Sequence, residues 1–501
     1  MRDLASFPDA HLRVFARAPL PEPDAIRSVF LVGVCGKGMG ALAELFAASG
    51  RHVRGSDAAA YPPMSTRLEA AGIDVLDGYD AAYLDPPADL TVIGNACVPT
   101  HPEAASARER GLVQASFPEA LAHVFLAGRR PVVVAGTHGK TTTTGLTTHV
   151  LRHAGLDPGF LVGGVMVGDG ATAALGTGRH FVVEGDEYDA AYFDKRPKML
   201  LYRPQVAVVT SLEFDHADIY DDWDDYRRAF EAFVALVPAD GRLVLWGDDA
   251  NVRALAAHTA APVTFYGDGP HCTIRAVDVR SESGGQRFRL AAGGHEAEAF
   301  LSLGGAFNRH NALAAAAVAL NEGVDLATVA EALGTFRGMA RRQEPKGEPG
   351  GVLVVDDFAH HPTAVAATIT AVRERWADRF VAGGRLVAVF EPRSNSSRRK
   401  TFEARYGASF GAADRVFLSA PPHRHNDDAR DFLDPRMVAS AAAVGGTPTD
   451  VFDNADALLG PLVAALRPGD VALVMSNGSF DGLIGRLVAA LDRDGEVTPA
   501  V

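Results

Sequence analysis

Short apolar runs alternate with longer segments of helical spacing along most of this chain. Ser28-Val-Phe-Leu-Val32 reads as a strand, Gly33-Val-Cys-Gly-Lys-Gly-Met-Gly40 as a Gly-rich turn and Ala41 to Ser49 as a helix. His52 to Asp57 and Leu90 to Ile93, the latter running into Gly94-Asn95, are further strands. The pattern restarts at Pro131 to Ala135 (strand), Gly136-Thr-His-Gly-Lys-Thr141 (loop) and Thr142 to Ala154 (helix), with strands at 180–183 and 206–210. Residues 242–246, 262–266 and 272–303 read as β structure, and Asn308 to Asn321 as an Ala-rich helix. The Gly- and Arg-rich stretch 336–351 reads as a linker, followed by strands at 352–356, 386–390, 415–418 and 471–475. Apolar runs alternating with helices predict parallel sheets, hence an α/β protein. Three such runs predict three domains, 1–128, 129–341 and 342–501: a Rossmann-like first domain, a P-loop ATPase-like centre and a Rossmann-like third.

Composition changes this picture little. With 501 residues, several cores are expected. A formal charge of −14 argues against a nucleic-acid surface. The three cysteines, Cys35, Cys97 and Cys272, form neither a disulfide framework nor a CxxC pair, which fits a reducing compartment. No uncharged apolar stretch reaches the roughly 18 residues of a membrane span, and Met1 to Arg13 does not read as a signal peptide. A cytoplasmic enzyme, a monomer or weak homo-oligomer, is expected.

The chemistry gathers at three places. In Gly136 to Thr141, backbone N–H groups and a helix N-terminus are set to face an anion. Lys140 is placed for terminal phosphates and Thr141 for Mg²⁺. The strict motif has glycine where Val134 stands, so the loop is a variant. A plain strand-to-helix turn is the alternative, but the chain holds only six lysines, and one falls at the predicted helix start. Two acidic clusters, Glu184-Gly-Asp-Glu-Tyr-Asp189 and Glu213-Phe-Asp215-His216-Ala-Asp218, follow the strands at 180–183 and 206–210. Strand ends beside a phosphate loop are where such sheets bind ligands, and hard carboxylates suit Mg²⁺. Glu184 is the expected ligand, with His216 plausible for a second metal site. The third place is the turn at Gly33–Gly38, which is not GxGxxG and alone is a weak signal. It is suited to a pyrophosphate, with Asp57 placed to accept from a ribose hydroxyl or a base edge. Two phosphate-binding turns in consecutive domains point to two nucleotides.

Together these residues resemble the Mur ligase family over roughly residues 27–490. The loop at Gly136 to Thr141, the acidic box at Glu184 to Asp189 and the Glu-x-Asp-His box at Glu213 to His216 occur in the family's order. So do Asn308 and Asn311, Arg341-Arg342, and Asp357 in Asp356-Asp-Phe-Ala-His360-His361-Pro362. The resemblance implies an ATP- and Mg²⁺-dependent ligase that activates a carboxylate as an acyl phosphate and joins it to an amine. It implies ATP on Gly136, Thr137, His138, Gly139, Lys140, Thr141, Thr142, Asn308, Asn311, Arg342 and Asp357, and metal on Thr141, Glu184 and His216. Lys140, Glu184, His216 and Arg342 are the implied catalytic set.

Within the family, the first turn and the Asp-Asp-x-x-His-His-Pro box resemble members that use UDP-N-acetylmuramate. That substrate is expected on Gly36, Lys37, Gly38, Met39, Asp57 and Asn95. The stretches 61–66, 187–196, 390–395 and 475–478 resemble the members that add the tripeptide L-alanyl-γ-D-glutamyl-meso-diaminopimelate. Arg393, Ser394, Asn395 and His361 are expected to meet that peptide, with Arg393, Arg398 and Arg399 pairing with its carboxylates; an ordinary basic surface is the alternative for these arginines. Some members carry a carbamoylated lysine after the Asp-His box. Here no lysine lies between Lys198 and Lys346, and Glu231 is expected to supply that carboxylate. Because an acyl phosphate hydrolyses readily, a domain closure hinged near 336–351 is expected. Three other readings stand beside this one: an L-alanine-adding ligase, a non-catalytic nucleotide-binding regulator, and a dehydrogenase resting on the first turn alone.

Overall fold

The computed structural model describes residues 3–58, 60, 64–214, 219–394, 397–422 and 431–495. It divides into two compact units, Met1–Val277 with Leu290–Ala297 and His310–Leu333, and Asp278–Arg289 with Glu298–Arg309 and Gly334–Val501.

The first unit holds two parallel sheets. One runs in the order Asp74–Asp77, His52–Asp57, Ser28–Val32, Leu90–Ile93, Gln114–Ser116, all parallel. Its direction of strand addition reverses beside Ser28–Val32, where the Gly-rich turn leaves the sheet. Val29 and Leu31 pack into one apolar cluster, Phe30 and Val32 into another. Burial on both faces explains why this strand reads as an unbroken apolar run. The other sheet places Val263–Tyr266, Arg242–Trp246, Val206–Val209, Arg130–Ala135, His180–Gly185 and Gly159–Leu161 side by side in parallel, with Ala173–Ala174 antiparallel at the edge. The β structure expected at 272–303 resolves into strands Ile274–Glu282, Gly285–Ala292 and His295–Leu301.

The sheet of the second unit runs Glu344–Gly347, Leu353–Asp357, Val471–Met475, Leu386–Phe390, Arg415–Ser419, Thr449–Phe452. Only Glu344–Gly347 is antiparallel. That strand lies inside the stretch read as a linker. Its Pro345 occupies the sheet edge, the place a strand tolerates proline, and its Gly and Pro content hid it. Both nucleotide-type helices also begin earlier than the pattern predicts, at Lys37 and Lys140. The Gly36 and Gly139 carbonyls already accept the first intrahelical bonds, from Gly40 and Thr143.

Glu103 is fully buried on the first unit's helix Pro102–Glu109 and accepts a 2.5 Å bond from Ser56 Oγ. Burial holds its carboxyl up at about 7. Between the ordinary carboxylate value and 7 the folded chain keeps a proton that the unfolded chain releases, so stability falls as pH rises through that interval. Glu103→Gln is therefore expected to stabilise by about 1–3 kcal/mol near pH 8, with the gain fading toward pH 4. Thermal melts at the two pH values check this; equal shifts at both would contradict it.

Candidate active site

The strand Arg130–Ala135 delivers the loop Gly136–Gly139 to the helix Lys140–His153. Gly136 has φ 133° and Gly139 φ 84°, conformations that favour glycine. There is also no room for a side chain. A Cβ at Gly136 would lie 2.3 Å from Thr210 Oγ1, and one at Gly139 would lie 2.4 Å from Asn311 Oδ1. Asn311, on the helix Ala306–Asn321, thus packs directly on the loop and also accepts from Thr143 Oγ1 at 3.1 Å. The loop is tied to the end of strand Val206–Val209 as well. The His138 amide donates to Ser211 Oγ at 2.8 Å, Thr137 Oγ1 donates to the Glu213 carbonyl at 2.8 Å, and His138 Nε2 meets the Glu213 carboxylate at 3.0 Å.

Lys140 Nζ donates to the Gly136 carbonyl at 2.7 Å and to both carboxylate oxygens of Glu187, at 3.0 and 2.9 Å. Burial opposes its charge, but Glu187 and then Asp186 outweigh burial and hold the ammonium above its ordinary value. Thr141 Oγ1 lies 3.1 Å from Glu184 Oε2, and the Gly163 amide donates to Glu184 Oε1 at 2.6 Å. A hydroxyl and a carboxylate meeting at the phosphate end of a loop form the oxygen donor set that suits Mg²⁺. Glu184 lies within the strand His180–Gly185, opposite Val134, rather than beyond the strand's end. His216 and Asp215 lie outside the described residues.

At the first turn, Gly36 is the N-cap of the helix Lys37–Ala48. Lys37 is exposed in its first turn, and Gly38 and the buried Met39 follow. Asp57 accepts from the Cys35 amide at 2.9 Å, which ties the end of the neighbouring strand to the turn. Asn95 is exposed just past strand Leu90–Ile93.

In the second unit, Asp357 is 4% exposed and accepts from the Gln343 and Ala359 amides, both at 2.8 Å. Burial raises its carboxyl, with Arg342 pulling the other way. The Arg342 guanidinium lies over the Phe358 ring at 4.7 Å, whereas Arg341 donates to the Ser476 and Gly478 carbonyls. Asn308 donates to the Gly304 carbonyl at 2.9 Å. His361 is 4% exposed, at the N-cap of Pro362–Arg375. Arg393 lies 3.5 Å from Glu391, and Ser394 Oγ bonds Ser397. Asn395 lies outside the described residues. Arg398 and Arg399 both have partners within the protein. Arg398 is buried and donates to the Ser394 and Pro422 carbonyls, and Arg399 pairs with Asp431 at 2.6 Å. Glu231 also has partners within the protein. It sits on the helix Trp223–Ala235, where Arg227, one turn earlier, and His258 are its partners.

Sequence reasoning missed Glu187 as the partner of Lys140 and Asn311 as the residue that closes over Gly139. A buried lysine needs a carboxylate, and the acidic box offered four candidates without a means of choosing among them.

Thr141 and Glu184 meeting beside Lys140, at the C-terminal edge of a parallel sheet, place this chain in the class of P-loop α/β enzymes that act on nucleotide phosphates. Sequence profiles narrow the class. Mur ligase family, catalytic domain, matches residues 29–129; Mur ligase middle domain matches 134–319; Mur ligase, glutamate ligase domain, matches 341–478. The chain belongs to the Mur ligase family of ATP-dependent, amide-bond-forming ligases. A relative from Escherichia coli K12, UDP-N-acetylmuramate–L-alanyl-γ-D-glutamyl-meso-2,6-diaminoheptandioate ligase, is 39% identical over 93% of this chain and 99% of its own. The UDP-N-acetylmuramate–L-alanine ligase of Acidothermus cellulolyticus is 39% identical over 94% of this chain and 96% of its own. The crystal structure of a murein peptide ligase from Psychrobacter arcticus superposes with a TM-score of 0.71 at 32% identity, covering 95% of this chain and all of that one. Among the described residues, no helix is long and apolar enough to cross a membrane.

Proposed function

We propose that this protein joins UDP-N-acetylmuramate to the amino end of L-alanyl-γ-D-glutamyl-meso-diaminopimelate, converting ATP to ADP and phosphate in the cytoplasm. The observation that carries the reading is the near full-length match to the Escherichia coli ligase of that printed specificity. Lys140, Thr141 and Glu184 supply the phosphate end of a site for the chemistry. The division at 1–128, 129–341 and 342–501 assigns the sugar nucleotide to the first domain, ATP to the second and the peptide to the third.

The loop amides and Lys140 hold the end of ATP while its γ-phosphoryl passes to the muramoyl carboxylate. Thr141 and Glu184, with His216, would hold Mg²⁺, which supplies neutralisation of the phosphate charge. Asn308 and Asn311 are assigned to adenine, Asp357 to ribose and Arg342 to the γ-phosphate. Gly36, Lys37, Gly38, Met39, Asp57 and Asn95 are assigned to the sugar nucleotide, and Arg393, Ser394, Asn395 and His361 to the peptide. The acceptor amine is largely protonated near neutral pH. It must lose that proton before attacking the acyl carbon, and His216, a box carboxylate or solvent takes it.

The L-alanine acceptor is the second reading, favoured by the equal identity to the Acidothermus enzyme. Phosphate release from purified protein with ATP, Mg²⁺, UDP-N-acetylmuramate and either acceptor separates the two. Turnover with the tripeptide is expected, and turnover with L-alanine alone would overturn the assignment.

A further inference from the structure

The two phosphate-binding turns of the first unit are joined by a short chain of contacts that passes through one lysine. A Cβ built on Gly38, within the Gly-rich segment and in the first turn of the helix Lys37–Ala48, would lie 3.5 Å from the Phe117 ring. The Lys198 ammonium sits 5.0 Å from the centre of that ring and 4.1 Å from the centre of Tyr188. It is 3.4 Å from Asp186, and its side chain is only 10% exposed. Asp186 in turn contributes to holding the charge of Lys140 at the ATP loop. Two backbone bonds fix the lysine to the acidic box: the Lys198 amide donates to the Tyr188 carbonyl at 3.1 Å and the Met199 amide to the Asp186 carbonyl at 3.1 Å.

The charges around this chain of contacts make a demand. Glu184, Asp186 and Glu187 gather at the loop, and Glu187 occupies Lys140 with both oxygens. Under the proposed function a further carboxylate, on the lactyl group of the sugar nucleotide, must come to the same place and meet a polyphosphate. An anion brought among carboxylates needs a cation that they do not already hold closely. Lys198 fits. Its one ion-pair partner among the described contacts is long, and its other neighbours are aromatic faces, which hold a cation without consuming its hydrogen-bond donors. Aromatic walls also keep water out, which strengthens the attraction for an incoming anion.

We infer that Lys198 binds the lactyl carboxylate of the sugar nucleotide, holding it between the first Gly-rich turn and the ATP loop, and so selects donors that carry that acid. The inference rests on the proposed function and adds to it a specificity-determining residue. UDP-N-acetylglucosamine is the probe, because it shares the uridine, the pyrophosphate and the sugar but lacks the lactyl acid.

The test is calorimetric binding of both sugar nucleotides to the full-length protein and to the Lys198→Met and Lys198→Arg variants, with steady-state kinetics alongside. Lys198→Met is expected to weaken UDP-N-acetylmuramate binding by about tenfold or more, the worth of a charge-assisted hydrogen bond. It is expected to leave UDP-N-acetylglucosamine binding unchanged and to change KM for ATP by less than about threefold. Lys198→Arg, which keeps the charge, is expected to retain part of the preference. Equal weakening toward both sugar nucleotides would assign Lys198 to the fold alone and overturn the inference. So would an undiminished preference in Lys198→Met. Absence of ADP formation by the wild type overturns the proposed function as well, whereas wild-type turnover with an unaffected Lys198→Met overturns this inference alone.

Discussion

Lys140→Met is expected to lower kcat by at least about 10³-fold, the scale of losing a preorganised cation from a phosphoryl-transfer site. The same substitution also strips Glu187 of its counter-ion, and Glu187 is a carboxylate with only 2% of its side chain exposed. An uncompensated buried charge costs about 3–5 kcal/mol, so lost activity and lost fold must be separated. Lys140→Met combined with Glu187→Gln removes both charges at once. The double variant is expected to recover most of the melting temperature lost by Lys140→Met and none of its activity. Recovered turnover in the double variant would show that Lys140 serves only to neutralise Glu187, and the assignment of Lys140 to the γ-phosphate would be withdrawn.

The second large effect falls far from the loop, on Glu322. This carboxylate has a side chain 1% exposed, just past the helix Ala306–Asn321. It meets Arg130 at 2.8 Å, His180 at 2.9 Å and Arg179 at 3.1 Å. Arg130 and His180 begin adjacent parallel strands and are register partners. Glu322 therefore pins the start of the two strands whose other ends carry the phosphate loop and Glu184. Burial works against its charge, but the bonds from His180 and Arg130 prevail and hold its carboxyl at about 2. A depressed carboxyl contributes stability that is fully present above the ordinary carboxylate value and is lost as pH falls from there toward 2. That contribution is about 3 kcal/mol. Glu322→Ala is expected to destabilise by about 3–5 kcal/mol at neutral pH, because it removes the buried acceptor of His180 and the buried counter-ion of Arg130. Its acid-unfolding limb is also expected to be shallower than that of the wild type. Denaturant titrations at neutral pH and near pH 3 check both, and an unchanged midpoint at neutral pH would contradict the account.

What could be read from the residues differs between these two sites for a physical reason. The strand–loop–helix passage around Gly136–Gly139 was legible because its features are local: apolar period, glycines, lysine and hydroxyl follow one another along the chain. The sheets were legible because strands buried on both faces read as unbroken apolar runs. Glu322 was not legible. One acid after an Ala-rich helix carries no sign that Arg130 and His180, distant in the chain, converge on it. Lys198 was hidden in the same way, since half of its aromatic surround, Phe117, comes from a different sheet's helix. In the acidic box the residue types were legible but their division of labour was not. Glu184 faces Thr141 and Glu187 faces Lys140, a choice set by strand register and the turn that follows rather than by composition. The strand Glu344–Gly347 escaped notice because edge strands tolerate the proline and glycine that otherwise mark a linker.

The central claim is that the phosphoryl group held at Lys140 passes to a carboxylate before the amide forms. UDP-N-acetylmuramate labelled with ¹⁸O in its lactyl carboxylate tests this directly, with mass analysis of the phosphate released in the presence of ATP, Mg²⁺ and acceptor. If the carboxylate attacks the γ-phosphorus and the amine then displaces phosphate from the acyl carbon, each phosphate leaves with one ¹⁸O atom. Phosphate released without label while amide product accumulates would contradict the account.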